Sequence, residues 1–164
     1  MAKRIQNSFG KCHFNDGSCL VMQEGKYVLD HTRKYYIFDI VPMGAVRMTK
    51  SDTWKTNPNH INPLKRQRPA VTKYWAWKNL LTLQANQMGF VLGEHLDAVY
   101  LVPMPESWSA KKKEANNGMP CKSKPDIDNY VKAFLDALKK EDGDVWNIKA
   151  IKVYAYKGSI ILFA

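Results

Sequence analysis

Two aspartates, Asp126 and Asp128, stand two positions apart in KPDIDN, directly after Pro125 and ahead of a run with helical spacing. In extended backbone, side chains two apart project to the same side, so both carboxylates can address one space while Ile127 packs inward. Lys132 follows four residues after Asp128, on the same face of a helix that starts there. Farther on, KKEDGDVW adds Glu141, Asp142 and Asp144. Oxygen ligands of this kind suit magnesium, which keeps several waters and is commonly held by few carboxylates. Two such ions can activate a water and stabilise the leaving oxygen of a phosphodiester. Lys132 can add positive charge beside the transition state. A structural reading competes with this one. Aspartates at a helix start cap free backbone N–H groups and complement the positive end of the helix dipole.

Chemistry at these carboxylates needs a rigid support. Val131, Phe134, Leu135 and Leu138 supply an apolar stripe to the helix that begins near Asp126 or Ile127. Such a helix, about 12 residues long, spans roughly 18 Å. Glu141, Asp142 or Asp144 can therefore meet Asp126 and Asp128 only if the chain turns back along it. Upstream, Val71, Tyr74, Trp75, Trp77, Leu80, Leu81, Ala85 and Met88 recur at three- and four-residue intervals between Pro69 and Gly89. They predict a helix of about 18 residues with an aromatic buried face. Trp75 and Trp77 are read as core rather than as base-stacking platforms. Strands are predicted at YYIFDIV (35–41), at HLDAVYLVPMP (95–105), and in IKAIKVYAYKG and SIILFA, joined around Gly158. Residues 42–69 read as a long basic loop, and ESWSAKKKEANNGMPCKSK as a lysine-rich helical or irregular link. Short apolar pieces at 19–22 and 27–29 suggest small strands or a hairpin. The order describes one compact α/β or α+β domain without internal repeats.

Charge narrows the partner. The 164 residues carry 25 Lys and Arg against 15 Asp and Glu, a formal net charge of +10, which favours a polyanion, nucleic acid before membrane surface. Residues 42–78 hold eight basic residues and one acid, Asp52, whereas residues 126–144 hold six acids against three lysines. An acidic island in a basic chain is the distribution expected of a metal-dependent enzyme acting on phosphodiesters. Arg47, Lys50, Lys111, Lys112, Lys113 and Lys124 are the candidate phosphate contacts. No apolar run approaches the ~20 residues of a membrane span, and no signal-peptide core follows the basic N-terminus. The odd set Cys12, Cys19 and Cys121 reads as reduced thiols in a cytoplasmic setting. Cys12, His13, Cys19 and His31 lack the usual zinc spacing. No P-loop suggests ATP use.

The stretch from Lys124 to Leu138, K-P-D-I-D-N-x-x-K-A-x-x-D-A-L, resembles the signature of RusA-type Holliday junction resolvases. The resemblance implies an active site of Asp126, Asp128, Lys132 and a third aspartate after the helix, the three aspartates binding metal. The family's downstream D-D-x-Q-aliphatic pattern is best matched by Glu141-Asp142-Gly143-Asp144-Val145, which makes Asp142 the third metal-binding carboxylate and Asp144 its competitor. Here Glu141 replaces the first Asp, Asp144 stands where Gln is usual, and the connection is several residues shorter. VPMGAVRMTKSDTW resembles the family's loop after its first strand, and VPMPESWSAKKKEANNG resembles the link leading to the acids. The likeness covers residues 35–164 and leaves 1–34 as an added N-terminal segment. It implies a mixed β-sheet packed against two main helices, a homodimer, and magnesium-dependent (or manganese-dependent) paired nicking of four-way DNA junctions in recombination and repair, in a bacterial or prophage setting. Two alternatives remain open: a nuclease for other branched DNA such as flaps and forks, and an inactive junction-binding protein in which Asp126 and Asp128 only cap a helix.

Overall fold

The structure, a computed structural model, describes residues 19–23, 26–30, 35–49, 52, 68–139 and 142–163; for 19–30 and Asp142 it describes the backbone alone. Strands β1 (Cys19–Gln23) and β2 (Lys26–Asp30) form an antiparallel pair, as the short apolar pieces suggested. The main sheet contains β3 (Tyr35–Phe38), β4 (His95–Pro103), β5 (Asn147–Ala155) and β6 (Ser159–Phe163), in the order β3-β6-β4-β5. Strands β4 and β5 run parallel, and the other two pairings are antiparallel, so the sheet is mixed.

Composition decides the strand order. SIILF in β6 is apolar on both faces and lies inside the sheet, with Tyr100 opposite Ile160 and Val99 opposite Ile161. Strand β5 carries Asn147, Lys149 and Lys152 and forms an edge, where exposed polar side chains are tolerated. Consecutive β5 and β6 therefore do not pair with each other.

Three α-helices among the described residues accompany the sheet. Helix α1 (Pro69–Gln87) starts with Pro in its first turn, and Gly89 just beyond its end has φ +62°. It buries Val71, Tyr74, Trp77, Leu81 and Ala85. That stripe is narrower than predicted: Trp75 and Leu80 are exposed, because one position away from a buried residue rotates a side chain by about a quarter-turn. Helix α2 (Ala110–Asn116) is short, and its N-cap Ser109 accepts a bond from Lys112 N. Helix α3 (Ile127–Leu138) buries Tyr130, Ala133, Phe134 and Leu135, while Val131 and Leu138 lie half-buried at the margins of the stripe. Helices α1 and α3 share the main core with one sheet face, through Phe38, Tyr100, Ile160 and Leu162. Phe38 meets Phe90 and Phe134 edge-on at 5.6 and 5.8 Å. This is the expected α+β fold, a mixed sheet with two main helices. It fixes α3 as a packed platform for the carboxylates at its start.

Candidate active site at the start of the third helix

Asp126 occupies the N-cap position of α3 in extended backbone (φ −68°, ψ 158°), yet its side chain makes no capping hydrogen bond. Its main-chain oxygen instead accepts from Asn129 N at 3.2 Å. Asp128 lies in the first turn. Because the helix begins at Ile127, the extended-chain argument for two aspartates on one side applies only as far as Asp126. Ile127 is half-buried and faces a groove rather than the core. Asp126 and Asp128 are both exposed, and neither side chain makes a hydrogen bond or ion pair among the described residues. Two unengaged carboxylates on a packed helix fit a hard, oxygen-seeking dication that keeps part of its water shell.

Asp126 lines an open groove of about 430 Å³ between the start of α3 and residues Ala150 to Lys152 of β5, with Cys121 and Lys122 on its other side. Lys152 crosses from the strand: its Nζ donates to the Ser123 and Pro125 carbonyls at 2.5 and 2.6 Å. The segment is sewn to β5 by Cys121 N donating to Lys152 O and Tyr154 N donating to Met119 O, both at 2.9 Å. The buried Cys121 thiol is 3.0 Å from Ser123 Oγ. Burial first, and then the neighbouring Cys121, pushes the Tyr130 hydroxyl up to about 12.

From the opposite side, the segment after β3 lies on the first turn of α3. Ala45 N donates to Asn129 O at 2.9 Å, and a Cβ built on Gly44 would stand 2.9 Å from the Pro125 ring. Arg47 is exposed two residues later. Its carbonyl accepts from Arg68 Nη2 at 3.0 Å, and the same nitrogen pairs with Asp52 Oδ2 at 2.6 Å. Asp52 is buried and also accepts from Thr49 N at 2.9 Å and Thr49 Oγ1 at 2.7 Å. The Arg68 guanidinium, helped by Thr49, holds the Asp52 carboxyl well below the usual carboxylate range. The lone acid of the basic stretch is thus a structural anchor for the Arg47 segment.

The other predicted residues distribute unevenly. Lys132 pairs at 3.7 Å with Asp136, one turn onward, rather than with Asp128. Asp144 pairs at 3.7 Å with Lys139, the C-cap of α3. The 3-10 turn Asp142–Asp144 therefore stands at the far end of a helix roughly 18 Å long. The chain does return along α3, but as β5: Lys152, not the acids, reaches the Asp126 end. No group of three His, Cys, Asp or Glu able to hold a metal occurs among the described residues; the Asp142 side chain lies outside them.

Lys111 and Lys112 are exposed on α2, with Lys112 Nζ 4.3 Å over the Trp108 ring. Trp108 in turn packs on Tyr154, 5.2 Å between centroids, which brings α2 to the same end of β5 as Asp126. Lys113 is half-buried beside the Glu106 carbonyl, and Lys124 is exposed in the segment before Asp126. Lys50, Cys12, His13 and His31 lie outside the described residues, as does the side chain of Cys19. Sequence reasoning missed Lys152, Arg68 and the Gly44 contact; no spacing rule marks a strand lysine that bonds loop carbonyls. No helix among the described residues is long and apolar enough to cross a membrane.

The family model described as endodeoxyribonuclease RusA matches residues 54–161. The uncharacterized protein YqaN of Bacillus subtilis (strain 168) is 37% identical over 100 residues, covering 53% of this chain and 68% of that protein. No solved structure matches the chain.

Proposed function

This chain belongs to the RusA endodeoxyribonuclease family, and from that membership we propose that it is a magnesium-dependent enzyme that resolves four-way DNA junctions by paired, symmetric nicks. The observation that carries the reading is the unengaged pair Asp126 and Asp128 at the start of α3, under a basic segment that presents Arg47. Asp126 and Asp128 would hold the ion, for which manganese can substitute. Bound there, the ion would supply Lewis acidity at the scissile phosphate and lower the pKa of a coordinated water. The chain's own groups do the rest. Lys132, exposed one turn beyond Asp128, offsets charge on the phosphate. Arg47, Lys50, Lys124 and the α2 lysines Lys111, Lys112 and Lys113 grip flanking phosphates and set the register of the strand. In this reading Asp142 is the third carboxylate and Asp144 the alternative. Because their turn lies at the far end of α3, they reach Asp126 by rearrangement or from a second copy of the chain. Two copies also match the chemistry, since paired cuts across a junction need two sites related by a two-fold axis.

The test is cleavage of a labelled, immobile four-way junction, in magnesium or in EDTA, by the native chain and by Asp128→Asn. Paired symmetric nicks that need magnesium and vanish in Asp128→Asn, with junction binding retained, support the proposal. Tight binding without cleavage in any divalent metal overturns the enzymatic reading and leaves a junction-binding protein. Preferential cutting of flaps or forks overturns the junction specificity alone.

A further inference from the structure

We propose that Lys152 is a positioning residue that sets the direction of Asp126 through the backbone. The proposal rests on the nuclease reading of Asp126, although its central claim is geometric. Asp126 sits at a helix start without capping it, so the helix does not orient its carboxylate. Whatever aims it acts on the peptide planes that precede it.

Lys152 holds two of those planes. The Pro125 carbonyl, 2.6 Å from Nζ, belongs to the peptide group whose nitrogen is that of Asp126. The Ser123 carbonyl, 2.5 Å away, belongs to the peptide group that ends at Lys124 N. Between the two, the Pro125 ring restricts φ. One ammonium therefore fixes the plane leading into Asp126 and the plane two residues earlier. Neutral carbonyl acceptors leave its positive charge uncancelled in the groove that Asp126 lines, and the Tyr130 ring lies 5.7 Å from the same nitrogen.

The anchor is firm and local. Lys152 is paired with Tyr100 in register, Val153 beside it is fully buried, and its own carbonyl accepts from Cys121 N. The Gly44 segment closes on Pro125 from the other side. Pro125 is thus held between a strand lysine and a glycine, and Asp126 follows directly.

The test compares Lys152→Met, which keeps length and loses charge and donors, with Lys152→Arg, which keeps both. Lys152→Met is expected to bind the four-way junction like the native chain but to cleave it about 100-fold more slowly, the loss associated with a displacement near 1 Å. Its affinity for terbium, read by luminescence sensitised by the protein's aromatic residues without any DNA, is expected to fall about tenfold, the lower end of what supporting shells contribute. Amide hydrogen exchange over residues 122–127 should quicken, and Lys152→Arg should restore all three readouts. Native cleavage and terbium affinity in Lys152→Met, or equal loss in both variants with binding intact, overturns the proposal. Should Lys152→Met fail to fold, Lys152→Gln, whose amide can still reach one carbonyl, takes its place with an intermediate loss expected and no loss overturning the claim. If the native chain cleaves nothing, the nuclease reading fails separately, and terbium affinity and exchange still decide whether Lys152 positions Asp126.

Discussion

Lys132 Nζ lies 3.7 Å from Asp136 Oδ1, and the second oxygen of Asp136 accepts from the Tyr74 hydroxyl at 3.0 Å, so the helical lysine of the acidic motif is steadied from below by a residue of α1. The Lys132 side chain is 61% exposed, which leaves its ammonium accessible to a phosphate and makes the pair a weak contributor to stability. Exposed pairs of this geometry contribute ~0–1 kcal/mol. Lys132→Ala should therefore abolish junction cleavage while moving the urea midpoint very little. Denaturation curves and cleavage time courses on the same sample check it. A large loss of stability would assign Lys132 to the fold instead.

The Asp52 anchor predicts a pH dependence with a definite sign. Its carboxyl is depressed in the folded chain by Arg68 first and Thr49 second. An aspartate in the unfolded chain has a pKa of about 3.9. The stabilisation is therefore fully present above about pH 4 and is lost as pH falls from there toward the folded value. Asp52→Asn should melt at a lower temperature than the native chain at pH 7, and the gap should narrow below about pH 4. A constant gap from pH 7 to pH 3 would show that the charge on Asp52 is immaterial.

Periodicity made much of the fold legible. The α1 segment and the buried run at Phe134–Leu135 follow from spacings of three and four, and the β4 and β6 segments from short apolar runs. The limit shows at Trp75 and Trp77. Both suit a buried aromatic face, yet only Trp77 is buried, with its Nε1 donating to Val41 O at 2.8 Å, while Trp75 carries Lys78 Nζ at 4.8 Å over its exposed ring. Which edge of an amphipathic stripe is covered depends on the neighbour across the interface, and a single helix's sequence does not contain that neighbour. At the candidate site, the motif singled out Asp126, Asp128 and Lys132 because their spacing is local. Lys152, Asp52 and Gly44 act across 27, 16 and 81 positions respectively, toward Pro125, Arg68 and Pro125. Contacts of that span are set by strand order and loop packing, and β6 entering between β3 and β4 is what leaves β5 at the edge beside α3.

Tyr130 offers a check on the packing under the groove. Its ring stacks on Tyr100 at 5.4 Å, and burial, then Cys121, raises its hydroxyl to about 12. Tyrosine in an unfolded chain ionises near 10. Since the folded value is raised, the contribution to stability is fully present below about pH 10 and is lost as pH rises through 12. An alkaline titration followed by phenolate absorbance should show exposed tyrosines ionising first, and Tyr130→Phe should remove one phenolate from the later part of the curve, which burial also assigns to Tyr74, Tyr100 and Tyr154. A native titration completed by about pH 10.5 would show that the Tyr130 hydroxyl is not buried.

Gly44 tests whether the basic segment and the carboxylates form one site. A Cβ at this position would stand 2.9 Å from both Cβ and Cγ of Pro125, closer than unstrained carbon atoms approach, and the Pro125 ring has little freedom to yield. Gly44→Ala must push the segment off the first turn of α3, lengthening the 2.9 Å bond from Ala45 N to Asn129 O and carrying Arg47 with it. Overpacking of this kind costs about 1–3 kcal/mol, and the misplacement of Arg47 and Pro125 should slow cleavage about tenfold or more. The matching control is Gly93→Ala, where nothing lies within 4 Å of the added carbon; it should cleave at the native rate. If Gly44→Ala is destabilised but each folded molecule still cleaves normally, the segment supports the fold without belonging to the active site, and Arg47 leaves the set of phosphate contacts.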